Sequence, residues 1–178
     1  DFIRETLKFM SVSYGVEIIN WADIPTKGTG LGSSSSFLVG LLLALHTLEG
    51  RHVSKEALAI QACYIEIEKC GKPIGIQDQY AAAFGGFNRM EFGNNICRGD
   101  YKKVSGFGFC DQEIRDISDH LHLFYTGVTR ESKDILATQT ANLISDAEVI
   151  DNMHRNVDLA NQLADHLVIK DISAVPIT

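Results

Sequence analysis

The chain has 178 residues, of which 45% are hydrophobic and 22% are charged, as is typical of a globular chain of one domain or slightly more. Its 16 basic and 23 acidic residues give a formal net charge of −7, which argues against nucleic acid or an anionic membrane as the main partner. No apolar run reaches the roughly 20 residues that a membrane-spanning helix requires, so we expect no membrane span.

Helical and strand patterns alternate over the first two thirds of the chain. Ile3, Leu7 and Met10 share one face of a predicted helix that ends near Gly15, and the apolar pattern over residues 16–21 predicts a strand. Further helices are predicted over residues 34–48, 54–70 and 77–84, further strands over 87–92, 101–109 and 120–125, and a last helix from about Asp171.

The last third of the chain has a helical pattern. Apolar residues recur at spacings of three and four between Ile150 and Leu167, as on the buried face of a packed helix. This change of pattern predicts two units, a mixed α/β domain over residues 1–128 and the beginning of a mainly helical domain over residues 129–178.

The cysteines and histidines show no metal-binding pattern. Neither a Cys-x-x-Cys motif nor a paired Cys/His spacing is present, which argues against a zinc site or a disulfide framework. We therefore expect a reducing, cytoplasmic compartment, and we interpret all six histidines as structural or surface residues. The chain begins without methionine or a signal peptide, so we expect a piece of a longer protein.

A glycine-rich segment, residues 25–36, leads directly into the apolar pattern of a helix. Glycine lets the backbone approach a ligand, serine caps helices and ligates hard cations, and the N–H groups at a helix start attract anions. Together these features predict a phosphate-binding loop. The Walker A pattern is absent because no lysine follows Gly32, and the glycines at 28, 30 and 32 do not have the dinucleotide spacing. A flexible linker is disfavoured because linkers do not pass directly into an apolar helix.

A second polar segment, Gly75-Ile76-Gln77-Asp78-Gln79-Tyr80, follows the turn at residues 71–73. Asp78 would open a short helix, whose dipole favours an ionised carboxylate able to accept a proton from a substrate hydroxyl. Taken alone, Asp78 fits a plain helix-start acid equally well. Glu66 and Glu68 end the preceding helix, and they fit either solvated acids or metal ligands.

Both segments resemble motifs of the GHMP small-molecule kinases, the family of galactokinase, homoserine kinase and mevalonate kinase. The core Gly30-Leu31-Gly32-Ser33-Ser34 matches the family's Pro-x-x-x-Gly-Leu-Gly-Ser-Ser motif, with Thr29 as a one-residue insertion. Residues 75–79 are similar to its Gly-Ile-x-Asp-Gln stretch. The resemblance implies an α+β or α/β two-layer N-terminal kinase domain followed by the start of a mainly helical C-terminal domain.

The resemblance also implies ATP and Mg²⁺ as cofactors and assigns roles residue by residue. Asp78 is then the catalytic acid/base and contacts the substrate. Ser34 and Glu66 hold Mg²⁺, and Glu66 is preferred to Glu68 because of its distance from Gly71. The phosphates of ATP are expected to bind the loop through Gly28, Gly30, Leu31, Gly32, Ser33, Ser34 and Ser35.

Two more segments, residues 81–88 and 125–132, are similar to the heptose-phosphate kinase branch of the family. Arg130 is expected to contact phosphate or sugar, with a surface arginine as the alternative. The implied function is ATP-dependent phosphorylation of a sugar or sugar phosphate, with a heptose 7-phosphate favoured. The alternatives are a galactokinase or other hexose kinase, and a non-catalytic nucleotide- or sugar-binding relative. A serine hydrolase is disfavoured because the Gly-x-Ser-x-Gly elbow is missing.

GHMP kinases also carry a sugar-binding segment near the N-terminus and a glycine-rich segment near the C-terminus. Neither is found in these 178 residues, so the resemblance implies a chain that is incomplete at both ends. We therefore expect little or no activity from this piece alone. The expected partner is a small sugar or sugar phosphate, and the sequence leaves the oligomeric state open.

Overall fold

The computed structural model of the protein describes residues 1–22, 30–93, 102–124 and 147–170. These ranges combine helices with one antiparallel hairpin, which agrees with the predicted α+β class. The helices are α1 (Phe2–Phe9), α2 (Ser33–Leu48), α3 (Lys55–Cys63), a π-helix (Tyr64–Lys69) that continues α3, α4 (Gln77–Phe84), α5 (Asp111–Ser118) and α6 (Ala147–Val168). The strands are β1 (Asn88–Phe92) and β2 (Lys102–Gly106).

The apolar core is built around α2, which packs against α1, α3 and α4. Its sequence is apolar on nearly all sides, so a position between neighbouring helices removes the most apolar surface from water. Leu38 and Leu42 of α2 are fully buried, and so is Ile65 of the π-helix. Complete burial of each such side chain stabilises the fold by about 1.5–3 kcal/mol.

The helix boundaries follow local signals in the sequence. The Ser54 hydroxyl accepts a hydrogen bond of 3.1 Å from the Ala57 N–H, so Ser54 caps α3 as predicted. Gly71 follows the π-helix with a φ of +64°, a conformation that glycine adopts without strain. The predicted helices 34–48, 54–70 and 77–84 are therefore present with boundaries within about two residues.

The hairpin of β1 and β2 covers one side of α4. Its strands pair with Met90 opposite Val104, and both of these side chains pack towards a small cluster of buried residues around Tyr80. The rings of Tyr80 and Phe92 meet edge to face with their centroids 5.4 Å apart. The predicted strands 87–92 and 101–109 are confirmed in position, although the second ends early, at Gly106.

The predicted helix over residues 54–70 changes from α to π geometry at Tyr64. At its end the Cys70 N–H donates to the Ile65 carbonyl at 2.9 Å, which is the wider closure of a π-turn. The Lys72 N–H then donates to the Glu66 carbonyl at 3.2 Å. The chain thus folds back and brings Lys72 beside Glu66. Residues this far apart in sequence do not face each other on neighbouring turns of an α-helix.

Two of the predicted strands are wrong where the structure describes them. Residues 15–22 and 121–124 are irregular, and neither segment belongs to the sheet formed by β1 and β2. Their large apolar side chains lie mostly in solvent, with Trp21 90% exposed and Leu123 83% exposed. A strand requires a paired neighbour for its N–H and C=O groups, and an apolar pattern alone does not supply one.

The remaining predictions of helices and boundaries have different outcomes. Helix α1 ends at Phe9 rather than near Gly15, and the next residue but one, Ser11, has a φ of +58°. Helix α5 was not predicted. Helix α6 confirms the helical pattern between Ile150 and Leu167. The predicted domain boundary after residue 128 and the helix near residue 171 lie outside the described residues.

Among the described helices, none combines the length and the apolar character that crossing a bilayer requires.

Helix α5 is held at its start and tied to the end of α6. The Cys110 N–H donates to a Glu113 carboxylate oxygen at 2.8 Å, and the Lys170 ammonium forms an ion pair with the same side chain. These donors, Lys170 foremost, lower the pKa of Glu113 from 4.5 to about 2.

We expect this carboxylate to make stability depend on acidity. Because the pKa of Glu113 is lower in the folded than in the unfolded protein, its contribution is complete above about pH 4.5 and is lost as the pH falls towards about 2. Glu113→Gln should therefore lower the free energy of unfolding at neutral pH, and its difference from wild type should shrink below pH 4.5. Urea titrations at several pH values check this, with Glu17→Gln, an exposed acid outside α5, as the control. A difference that does not change with pH would contradict the prediction.

Candidate active site

The described part of the glycine-rich loop turns sharply into α2. Gly30 and Gly32 have φ values of +68° and +66°, which residues with a Cβ rarely adopt. The Ser36 N–H donates to the Gly32 carbonyl at 3.0 Å and closes the first helical turn. Helix α2 therefore begins at Ser33, and its positive dipole end faces the loop. This arrangement favours an anion at the start of α2.

Directly behind this helix start lies the carboxylate of Glu66, which is fully buried. Its Oε1 accepts hydrogen bonds from the Ser34 hydroxyl at 2.8 Å and from the Lys72 ammonium at 3.0 Å. Its Oε2 accepts from the Ser35 hydroxyl at 2.8 Å and from the Gln79 amide at 2.6 Å. Side chains from α2, α4 and the turn after the π-helix thus converge on one carboxylate.

The surroundings of Glu66 keep it ionised despite its burial. Burial raises the pKa of the carboxyl group, but the hydrogen bonds from Ser34, Lys72, Ser35 and Gln79 outweigh that effect, and the net pKa is lowered. Lys72 contributes the one full positive charge among these donors, through an ion pair whose lysine side chain is 36% exposed. A buried carboxylate with this many donors is a fixed negative charge at the start of α2.

Asp78 lies on the solvent side of the same region. It occupies the first turn of α4 and is exposed, whereas the next residue, Gln79, is fully buried. A Cβ placed on Gly32 would lie 3.4 Å from Asp78 Oδ2, so the Asp78 carboxylate approaches the loop backbone at the point where α2 begins. The structure therefore brings Asp78 and Gly32 close to Glu66 and its four hydrogen-bond donors, which together we call the Glu66 cluster.

The structure also separates the predicted residues that converge from those that do not. Ser33, Ser34 and Ser35 form the first turn of α2, and Leu31 is exposed beside it. Glu68 is exposed and is not among the four donors and the acceptor that form the Glu66 cluster. Gly28 and Arg130 lie outside the described residues.

Sequence reasoning missed two members of the cluster, Lys72 and Gln79. Gln79 adjoins Asp78, and on a helix adjacent residues point about 100° apart, so an exposed Asp78 favours a turned-in Gln79. For Lys72 the sequence offers no comparable signal, because its approach to Glu66 depends on the π-helical end of α3.

Ser34 and Glu66 offer oxygen atoms of the type that Mg²⁺ prefers as ligands. Both are oxygen ligands, and Mg²⁺ takes one or two protein oxygens and keeps several waters. The Lys72 ammonium lies 3.4 Å from Ser34 Oγ and 3.0 Å from Glu66 Oε1, so a cation already stands at this pair of oxygens. In the described part of the chain, no group of three or more His, Cys, Asp or Glu side chains could hold a metal. The two oxygens of Ser34 and Glu66 therefore suit a metal ion whose other ligands are water molecules and oxygens of a bound small molecule.

Residues 1–86 match the family model described as the GHMP kinases N terminal domain. The chain therefore contains a GHMP kinase N-terminal domain. The matched range includes the glycine loop, Glu66, Lys72 and Asp78, so the resemblance inferred from the two motifs is confirmed.

Three curated relatives of the chain carry the names of sugar kinases. The D-glycero-alpha-D-manno-heptose 7-phosphate kinase of Campylobacter jejuni is 34% identical over 155 residues, which are 86% of this chain and 42% of that protein. The galactokinase of Pyrococcus furiosus is 34% identical over 61% of this chain and 28% of its own length. The galactokinase of Thermococcus kodakarensis is 33% identical over 58% of this chain. The chain thus spans less than half the length of these relatives.

We expect the two buried hydrogen bonds to Glu66 Oε2, from Ser35 and Gln79, to contribute measurably to the free energy of unfolding. Ser35→Ala leaves Oε2 of a buried carboxylate with the Gln79 amide as its remaining partner. Because a hydrogen bond to a charged group contributes about 1.5–3 kcal/mol, the free energy of unfolding should fall by about that amount.

The matched control is Ser36→Ala, since Ser36 is exposed in the same helical turn and its substitution brings the same gain in helix propensity. Its effect should stay within about 0.5 kcal/mol. Urea unfolding of both variants of the full-length protein measures the difference, and equal effects would show that the Ser35 hydrogen bond does not stabilise the fold.

Proposed function

We propose that the full-length protein is an ATP-dependent kinase that phosphorylates a hydroxyl group of a sugar or sugar phosphate. The observation that carries this proposal is the approach of Asp78 to Gly32 at the start of α2, directly in front of the buried Glu66 cluster. An anion-binding helix start, a pair of cation-binding oxygens and a solvent-facing carboxylate are the parts that phosphoryl transfer requires.

In this proposal the glycine loop and the start of α2 bind the phosphates of ATP. Gly30 and Gly32 carry no side chains, so a ligand can approach the loop backbone at these two positions, and the helix dipole favours negative charge there. Gly28, which precedes the described part of the loop in the sequence, and Leu31 are proposed to contribute to the same phosphate site. The Ser35 hydroxyl already donates a hydrogen bond to Glu66. Ser35 would therefore bind a phosphate through its backbone N–H.

Ser34 and Glu66 hold Mg²⁺ in this proposal. The Ser34 hydroxyl donates its hydrogen to Glu66 Oε1, so the lone pairs of Ser34 Oγ face cations, and the Lys72 ammonium lies 3.4 Å from that oxygen. A metal held by these two side chains would supply neutralisation of the charge on the transferred phosphoryl group. Gln79 and Ser35 fix Oε2, so Glu66 presents Oε1 in a constant position.

Asp78 would orient the acceptor hydroxyl and take its proton as the hydroxyl oxygen bonds to the γ-phosphorus of ATP, while the bond from that phosphorus to the bridging oxygen breaks and ADP leaves. Its exposure lets a substrate hydroxyl reach it, and its proximity to Gly32 places that hydroxyl near the phosphates. Positioning and charge neutralisation supply most of the rate enhancement in such transfers, so proton acceptance by Asp78 is one contribution among several.

For the substrate we propose a heptose 7-phosphate, with galactose as the second candidate. At the same identity, similarity to the Campylobacter heptose 7-phosphate kinase extends over 86% of the chain, and similarity to the Pyrococcus galactokinase over 61%. Arg130 would contact an oxyanion of the substrate, and residues 129–178 would begin the helical C-terminal domain. We propose the cytoplasm as the compartment, on the cysteine pattern given above.

The substrate is tested on the full-length protein with ATP, Mg²⁺ and two acceptors. We expect phosphorylation of D-glycero-D-manno-heptose 7-phosphate with a kcat/KM well above that for galactose. The reverse preference would assign the protein to the galactokinases, and no phosphorylation of any sugar in a wider panel would overturn the proposed function.

Asp78→Asn tests the proposed base. We expect kcat to fall at least about 100-fold, because general-base catalysis typically contributes that much, while binding of a non-hydrolysable ATP analogue is retained. Glu68→Gln is the matched control, since it removes one exposed acidic charge nearby without touching the cluster. Its kcat should remain at the wild-type level. Unchanged turnover in Asp78→Asn would remove Asp78 from the mechanism.

A further inference from the structure

The Lys72 ammonium stands at the two oxygens that we assign to the metal. It donates to Glu66 Oε1 at 3.0 Å and to Ser34 Oγ at 3.4 Å, and it lies 4.0 Å from the centre of the Phe2 ring. These contacts hold one positive charge at the Ser34–Glu66 pair. No motif of the sequence assigns a role to Lys72.

A divalent cation and the Lys72 ammonium cannot both contact this pair as the structure has it. Mg²⁺ binds oxygen at about 2.0–2.1 Å, so a metal on Glu66 Oε1 and Ser34 Oγ would lie within a few ångströms of a full positive charge. Glu66 is fully buried and Ser34 is half-buried, which weakens the screening of that repulsion by water and salt. Binding of the metal therefore requires that the ammonium leave.

The structure allows Lys72 to leave without disturbing the rest of the cluster. Its backbone is fixed by the bond from the Lys72 N–H to the Glu66 carbonyl, whereas its side chain is 36% exposed and has a path to solvent. Glu66 Oε2 keeps both of its donors, Ser35 and Gln79, during such a movement. Only one side chain has to change its position.

We propose that Lys72 is an internal counter-ion that occupies the Ser34–Glu66 pair in the metal-free protein and is exchanged for a divalent cation. This inference rests on the proposed role of Ser34 and Glu66 as the metal-side ligands. The exchange keeps a buried carboxylate compensated at all times, and it makes a free divalent cation a weak ligand because each binding event must displace an ammonium.

Binding of Mn²⁺ to the full-length protein without nucleotide, measured by electron paramagnetic resonance, tests the exchange. Lys72→Met should bind Mn²⁺ at least about fivefold more tightly than wild type, the lower end of typical coupling between sites. Lys69→Met is the matched control, because it removes the same charge three residues away, where the ammonium lies over the Tyr64 ring. Its Mn²⁺ affinity should equal that of wild type.

A second measurement uses the wild-type protein and does not depend on the folding of a variant. Acetylation of lysines is followed by mass spectrometry with and without saturating Mg²⁺. We expect Mg²⁺ to increase the labelling of Lys72 relative to Lys69, because the displaced ammonium enters solvent. Unchanged relative labelling, with metal bound, overturns the exchange.

Glu66→Gln separates failure of this inference from failure of the metal site. If Glu66→Gln abolishes Mn²⁺ binding while Lys72→Met leaves the affinity unchanged or weaker, the metal site stands and the exchange is overturned. If Glu66→Gln binds Mn²⁺ as wild type does, or no variant binds it, the assignment of Glu66 to the metal fails and the exchange with it.

Discussion

The arrangement of this domain depends on the need to satisfy one buried carboxylate. An unpaired buried charge costs several kcal/mol, so Glu66 is tolerated only where donors surround it. Those donors come from the first turn of α2, from α4 and from the turn after the π-helix. Displacing any of these elements would leave part of the carboxylate uncompensated. The same requirement that stabilises the cluster therefore fixes the start of α2 and the start of α4 relative to each other, and with them Gly32 and Asp78.

The π-helix allows the turn that follows it to bring the positive charge of Lys72 to the Glu66 cluster. On an α-helix, a residue can reach side chains three or four positions away, and Lys72 lies beyond that reach from Glu66. The wider closure at Ile65 and Cys70 lets the chain reverse directly, so that Lys72 bonds to Glu66 through both its backbone and its side chain. A π-turn costs helical regularity, and here the loss is offset by compensation of a buried charge.

The parts that the sequence predicts well are those with local causes. Helix α2 follows from the apolar run after the glycine loop, α3 from the cap at Ser54, and α4 from the glycine pair that ends it. Glu66 follows Leu58 and Ala62 at intervals of four, so it continues the apolar face of α3 into the π-helix. The strands predicted over residues 16–21 and 120–125 were wrong in the described residues because strand formation depends on a partner elsewhere in the chain. Helix α5 was missed because its capping residue is Cys110 rather than serine or threonine. Lys72 and Gln79 were missed because their roles arise from contacts between elements.

The charges around the start of α2 bear on how an anionic ligand can bind there. The carboxylates of Glu66 and Asp78 contribute two negative charges, against the Lys72 ammonium and about half a positive charge from the dipole of α2. The chain as a whole carries a formal charge of −7, so its long-range field does not attract a polyphosphate. The backbone dipoles determine where a phosphate would bind, but they do not balance these charges. In the function proposed above, a triphosphate would therefore bind here together with a divalent cation, for which we propose the oxygens of Ser34 and Glu66 as ligands.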